Sequence, residues 1–378
     1  MDFPSLEQLR QRQTRKWTVY PEDVLPLWIA ESDFPTSPKV LECIKQRVAA
    51  ESFGYSPASH DLEHALSGFC QRHFDWTPDP ENIVLTPDVV RALMLAINHF
   101  TTPGSAVIVP TPAYPPFLAL APATGRRMIE ISAEGGIDLA EVEQAFIQGA
   151  GSILLCNPHN PLGYQFSREF LRDLADLAER YGARIISDEI HAPLVYEEKH
   201  IPAASVSEVA ARVVITALAT SKAWNIAGLK CAQMIFSNPE DKKIWDQLPP
   251  PLTDGVSTLG IFAAAACYRD TSSHLDEQRA CLRHNRDWLV RELPQRIPGL
   301  KVSNPQATYL MWLDFRETSL PEHARDHTAA WLIDHAKVAL NEGLSFGTPG
   351  RAHARLNFAT SPEILDEAVD RLAHALTP

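Results

Sequence analysis

Four polar residues carry the reading of this chain: Asn160, Asp188, His191 and Lys222. Each lies at or just beyond the end of a short apolar run that reads as a buried strand. The gaps from Asn160 to Asp188 and from Asp188 to Lys222 are each about thirty residues, the length of one strand–helix step. All four can therefore meet at one edge of a parallel sheet, outside the carboxyl ends of its strands, where open α/β sheets hold their ligands. One chemistry needs them together. A lysine amine can form a Schiff base with pyridoxal phosphate, and a carboxylate is then required to keep the pyridine nitrogen protonated so that the ring draws electrons. The ring's phenolate oxygen needs hydrogen-bond donors, which an asparagine amide and an imidazole supply. Singly, a lysine after a strand is an ordinary loop residue and N-P-x-G an ordinary turn, so the combination carries the reading.

The elements that must position these residues are legible nearby. Ser152–Cys156 (SILLC) reads as a buried parallel strand that ends in the turn-rich stretch NPHNPLG, Asn157–Gly163. A helix comes next, with Ser167 as N-cap, Glu169 in the first turn, Leu171, Leu174, Ala178 and Tyr181 on one face, and Gly182 as the stop. The next run, Arg184–Ser187 (RIIS), delivers Asp188 at its carboxyl end, which completes a βαβ unit. Ala106–Val109 and Val213–Ala217 repeat the pattern, and the latter leads to Thr220, Ser221 and Lys222. Tyr309–Phe315 and Arg355–Phe358 read as later strands, and Ser361 caps a final helix that carries Ile364, Leu365, Ala368, Val369, Leu372 and Leu376 on its buried face. The expected architecture is α/β: a large domain over residues 40–285 with a mostly parallel sheet flanked by helices, and a smaller α+β domain made of residues 1–39 and 286–378.

Length and composition set the outer limits. The chain has 378 residues, 45% of them hydrophobic and 21% charged, which is a globular balance. A net charge of −13, with no Lys/Arg-rich run, argues against nucleic acid as a partner. Uninterrupted apolar runs such as Ile261–Tyr268 fall far short of the ~20 residues that cross a bilayer, so no membrane association is expected. The first residues show no apolar signal segment, and the expected location is cytoplasmic. Six cysteines without a C-x-x-C pair read as reduced core thiols and not as a metal site.

At these residues the chain resembles the fold-type I, aspartate-aminotransferase-like enzymes that use pyridoxal 5'-phosphate. The resemblance runs from LWIAESDFP (Leu27–Pro35) to RLNFATSP (Arg355–Pro362). CNPHNPLG, SDEIHAPLV and SKAWNIAGLK look most like the branch of cystathionine β-lyases and cysteine-S-conjugate β-lyases, with His191 and the W-N-I-A-G run after the lysine as the distinguishing features. The resemblance implies that Lys222 forms the Schiff base and acts in catalysis, that Asp188 pairs with the pyridine nitrogen, and that Asn160 and His191 lie near the ring oxygen. Tyr114 would stack on the cofactor. The backbone of Val89 and Val90 at a helix start would hold its phosphate, together with Ser221 and Lys230. Here the family often has Gly where this chain has Asp88, which is expected to serve as an N-cap with its charge turned away from the anion. Tyr55, counted with Lys222 as catalytic, would reach the phosphate of a neighbouring subunit, which implies a homodimer with shared active sites. Arg355 would clamp the α-carboxylate of an amino-acid substrate, with Ala30 and Asn160 alongside. The implied activity is cleavage of L-cystathionine or a cysteine S-conjugate to a thiol, pyruvate and ammonia. The alternative is an aminotransferase of L-amino acids, since both reactions use Lys222, Asp188 and Arg355. A regulator that keeps the fold and acts by binding another protein is a further reading, secondary because the catalytic residues are complete.

Two other motifs compete. His60, Glu63 and His64 (HDLEH) match a zinc-binding H-x-x-E-H pattern, and Gly343–Gly347 (GLSFG) matches the G-x-S-x-G nucleophile elbow. The second needs a strand before and a helix after its serine, whereas Thr348, Pro349 and Gly350 come next here. Neither is expected to act, and no metal is expected.

Overall fold

The computed structural model describes residues 2–377. Its centre is a seven-stranded sheet of β1 (Ile83–Thr86), β2 (Ala106–Thr111), β3 (Met128–Ser132), β4 (Ala150–Cys156), β5 (Arg184–Asp188), β6 (Val214–Leu218) and β7 (Ala232–Phe236), in the order β1-β7-β6-β5-β4-β2-β3. Every residue of β4 is buried, so its alternating side chains feed two cores. Ile153 and Leu155 pack with the helices Leu139–Ile147 and Arg168–Arg180, while Leu154 and Cys156 pack with the helix Val89–Phe100. The expected βαβ unit is present. Ser167 Oγ accepts from Phe170 N–H at 3.1 Å to start the helix, and Gly182, at φ +60°, ends it.

Register decides where the strand ends lie. β4, β5 and β6 run parallel, with Cys156 opposite Asp188 and Asp188 opposite Ala217, so three strands end level with one another. Among the described residues, the one antiparallel strand of this sheet is β7, which opposes both of its neighbours. Its link from β6 contains only a short 3₁₀ turn, Ala227–Leu229, and no α-helix of the kind that usually carries a parallel return.

A second sheet is built from β8 (Lys301–Val302), β9 (Leu310–Asp314), β10 (Asn341–Glu342) and β11 (His353–Asn357) in the antiparallel order β10-β11-β9-β8. The last helix, Pro362–Leu376, starts at Ser361, whose Oγ accepts from Ile364 N–H at 3.3 Å. The amino-terminal segment joins this part, since Leu25–Pro26 pairs in parallel with Val338–Ala339. Position 286, where the smaller domain was expected to begin, lies within the continuous helix His274–Arg296 and not in a loop. Among the described residues, no helix is long and apolar enough to cross a membrane.

Candidate active site

A cavity of about 300 Å³ opens at the level ends of β4, β5 and β6. Ten of the residues singled out from sequence line it: Lys222, Asp188, Asn160, His191, Tyr114, Val89, Val90, Ser221, Lys230 and Ala30. A wider, shallower groove of about 720 Å³ runs along β3 and holds none of the expected site residues. Chemistry, not size, selects the first.

Each side chain owes its place to a local feature. Asp188 is the last residue of β5, and its Oδ1 accepts from Ile190 N–H at 3.0 Å. Burial raises its pKa to about 7, against the lowering effects of that hydrogen bond and of Lys222. His191 lies on the turn after β5, where burial first, then the charges of Lys222 and Arg355, push its pKa well down and keep the ring neutral. Its Nδ1 is buried without a hydrogen-bond partner. Tyr114 precedes the helix Pro115–Ala123, and burial raises its phenol pKa.

Lys222 sits four residues beyond β6, with Nζ donating to Ala30 O at 3.0 Å. It keeps some accessible surface because it lines the cavity, yet protein surrounds it closely. That desolvation, reinforced by Arg355 and opposed by Asp188 and Glu31, lowers the amine to about 8. Arg355, on β11, donates from Nη1 to Asn160 Oδ1 at 3.0 Å and from Nη2 to Trp28 O at 3.2 Å, while its Nε has no partner. Its guanidinium lies 4.9 Å from the centre of the Phe346 ring. Burial lowers even this group, to about 10.

Pyridoxal phosphate suits this donor set. An unpartnered imidazole nitrogen, a carboxyl with a raised pKa and the first amides of the helix Val89–Phe100 are unmet demands that a phenolate oxygen, a pyridinium N–H and a phosphate would meet.

Tyr55 is fully exposed and stands apart from the cavity of its own chain, as suits a residue expected to serve a neighbouring subunit. One expectation requires adjustment. Asp88 does cap its helix, with Oδ1 accepting from Arg91 N–H at 2.9 Å, but its charge is not turned away: Oδ2 receives Lys230 Nζ at 2.9 Å. An exposed ammonium within reach is a better partner than water alone, so the second carboxylate oxygen takes it.

The sequence reading missed the frame around Ala30. Asn225 holds Ser32 in both directions, accepting from its N–H at 2.9 Å and donating to its carbonyl at 2.8 Å. Asn357 Nδ2 bridges the carbonyls of Ile29 and Glu31, both at 2.7 Å, and Tyr309 OH donates to Ala30 O at 3.1 Å. Lys16 Nζ lies 2.6 Å from Asp33 Oδ2, and Trp17 Nε1 donates to Asp33 Oδ1 at 3.1 Å. The alternation that puts Arg355 toward the site puts Asn357 on the same side of β11, a signal that was available.

Among the described residues, no group of three or more His, Cys, Asp and Glu side chains is placed to hold a metal ion; His60 and His64 are both exposed, and His60 Nδ1 is 3.7 Å from Glu63 Oε1. Gly343–Phe346 is a 3₁₀ turn followed by another turn, and Ser345 Oγ donates to the nearby Glu342 carbonyl.

Residues 22–372 match the family model described as aminotransferase class I and II. The chain belongs to that family. Within it, the chain is 53% identical to a cystathionine beta-lyase of Corynebacterium glutamicum over the whole of both sequences. A crystal structure from Corynebacterium diphtheriae assigned as a PLP-dependent beta-cystathionase is 54% identical and superimposes with a TM-score of 0.97, covering 99% of this chain and 98% of that one. Cystalysin from Treponema denticola, whose crystal structure contains a pyridoxal 5'-phosphate cofactor, is 27% identical with a TM-score of 0.90, covering 99% and 98%. The fold-type I assignment and the lyase branch read from the sequence agree with these family members.

Proposed function

We propose that the chain is a pyridoxal 5'-phosphate-dependent carbon–sulfur β-lyase that cleaves L-cystathionine or a related cysteine S-conjugate to a thiol, pyruvate and ammonia. The observation that carries this reading is Lys222, with its lowered amine pKa, set in one cavity with Asp188 and beside Arg355, in a chain similar along its whole length to a cystathionine beta-lyase.

When bound, the cofactor supplies an electron sink for negative charge at the substrate Cα. Asp188 would hold the proton on the pyridine nitrogen, Asn160 and His191 would serve the ring oxygen, and Tyr114 the ring face. Ser221, Lys230 and the amides of Val89 and Val90 would take the phosphate. Arg355 would bind the substrate α-carboxylate, which supplies the charge that its dry setting lacks, with Ala30 and Asn160 bordering the same space. The ε-amine of Lys222, held toward Ala30 O, would take the Cα proton, and an amine lowered to about 8 is partly neutral near pH 7. The Cβ–S bond then breaks with its electron pair on sulfur, the thiolate takes a proton, and the released enamine adds water to give pyruvate and ammonia.

The exposed Tyr55 supports a homodimer in which each copy reaches the phosphate of the other. The pairing of Leu25–Pro26 with Val338–Ala339 supports a small domain of residues 1–39 and 286–378 beside a large one of 40–285. Six unpaired cysteines suit a reducing, cytoplasmic setting.

The test is to supply L-cystathionine and pyridoxal phosphate with no 2-oxo acid and to measure pyruvate and free thiol. Equal amounts of both are expected. Product that forms only when a 2-oxo acid is added would make the protein an aminotransferase.

A further inference from the structure

Asp88 places a carboxylate among the groups assigned to the cofactor phosphate. It lines the cavity with Val89, Val90, Ser221 and Lys230. Its two oxygens do separate jobs: Oδ1 accepts from Arg91 N–H at 2.9 Å, and Oδ2 lies 2.9 Å from Lys230 Nζ. Helix capping accounts for the first contact only; the second turns a charged oxygen toward a cation assigned to the phosphate.

The two partners differ in freedom. Asp88 is fixed at its backbone, since its carbonyl accepts from Ala92 N–H at 3.1 Å and from Thr86 Oγ1 at 3.2 Å, and its side chain is fixed by Arg91 N–H. The Lys230 main chain is held too, with its carbonyl accepting from Ser257 N–H at 3.1 Å, but its side chain is 57% exposed and long enough to re-aim. An arriving phosphate can draw the ammonium away from Asp88, whereas the carboxylate stays tied to its helix cap through Oδ1. Arg91 is the other cation near this carboxylate, and its Nη2 is engaged with Leu252 O at 3.3 Å. Burial would raise the Asp88 pKa, but hydrogen bonds from Lys230 and Arg91 N–H outweigh it and lower the value, so the group is charged near pH 7.

We propose that Asp88 is a built-in competitor for the cofactor phosphate: it holds Lys230 in the site while phosphate is absent and weakens phosphate binding once Lys230 has changed partner. This inference rests on the proposed use of pyridoxal phosphate. It makes the cofactor exchangeable where a neutral cap would grip it more tightly.

Equilibrium dialysis of the purified full-length holoenzyme against pyridoxal phosphate, and separately against pyridoxal, tests it in wild type and in Asp88→Ser, which keeps a capping oxygen without the charge. Asp88→Ser should bind pyridoxal phosphate about tenfold more tightly, with the gap narrowing as salt is added, because the contact is partly exposed. Pyridoxal, which lacks the phosphate, should bind both proteins equally. Asp88→Asn, which keeps the shape of the cap, should behave as Asp88→Ser does. Equal or weaker phosphate-dependent binding by both folded variants would overturn the inference and leave the functional reading standing. Wild type that binds no pyridoxal phosphate would overturn both.

Discussion

Two lysines lie deep in this molecule, and their surroundings are opposite. Lys16 is wholly sealed and meets a carboxylate, Asp33, at 2.6 Å, with the Glu31 carbonyl at 3.3 Å as a second acceptor. Lys222 donates only to the Ala30 carbonyl, opens onto a cavity, and has Arg355 close enough to help depress its amine to about 8. A buried charge that is paired and hydrogen-bonded is a structural fixture, while one with no carboxylate in contact is an amine that more readily gives up its proton. The same contrast extends outward. The Ala30 loop is held by side chains whose polar atoms are satisfied, whereas His191 Nδ1 and Arg355 Nε beside the cavity are buried and unpartnered.

The contrast can be broken most directly at Lys222 itself. Lys222→Ala should lower pyruvate release from L-cystathionine by about four orders of magnitude or more while leaving the thermal unfolding midpoint where it was. A variant that keeps activity but unfolds early would place Lys222 with Lys16. The reverse substitution, Lys16→Met, should cost about 3–5 kcal/mol of stability in urea titrations, because it strands Asp33 as an unpaired buried charge. The double change Lys16→Met with Asp33→Asn should recover part of that loss, and no recovery would mean that the pair is not what the fold depends on. Next in size, Arg355→Ala should raise KM about a hundredfold with a smaller change in kcat, since it removes the carboxylate's charged partner. An unchanged KM would reassign Arg355 to the structural side.

The smallest effect concerns His159, a buried imidazole stacked on Tyr164 at 4.8 Å, whose pKa burial lowers to about 3. Because the folded value lies below the ordinary one, the unfolded chain takes the proton first. Stability is complete above about pH 6.5 and is lost progressively as pH falls toward 3. His159→Gln should flatten that slope by at most about 1.4 kcal/mol per pH unit between pH 6 and 4. An unaltered acid slope would show that this ring is not kept neutral by burial.

Much of the site was visible in the chain because it is carried by strand ends. The apolar runs before Asn160, Asp188 and Lys222 mark buried parallel strands, and one strand–helix step between them forces the residues to a common edge. The capped helices at Ser167 and Ser361 were equally legible, since both hydroxyls accept the expected backbone N–H. What stayed hidden was long-range and polar. Asn225 and Ser32 are 193 positions apart, and Asn357 is 328 from Ile29, so no local pattern links them. The second oxygen of Asp88 was misjudged for the same reason: its helix-capping role is local, while Lys230 is 142 residues away.

The loop from Ile29 to Phe34 also has a consequence for the order in which the protein can be made. Its fastenings come from Arg12, Lys16 and Trp17 at the start of the chain, from Asn225 in the middle, and from Asn357 near the end. A growing polypeptide therefore carries Lys222 for more than a hundred residues of synthesis before the strand that completes its frame exists. Until Asn357 and Arg355 have emerged and docked, the nascent chain can hold a folded sheet but not the finished surroundings of its reactive amine.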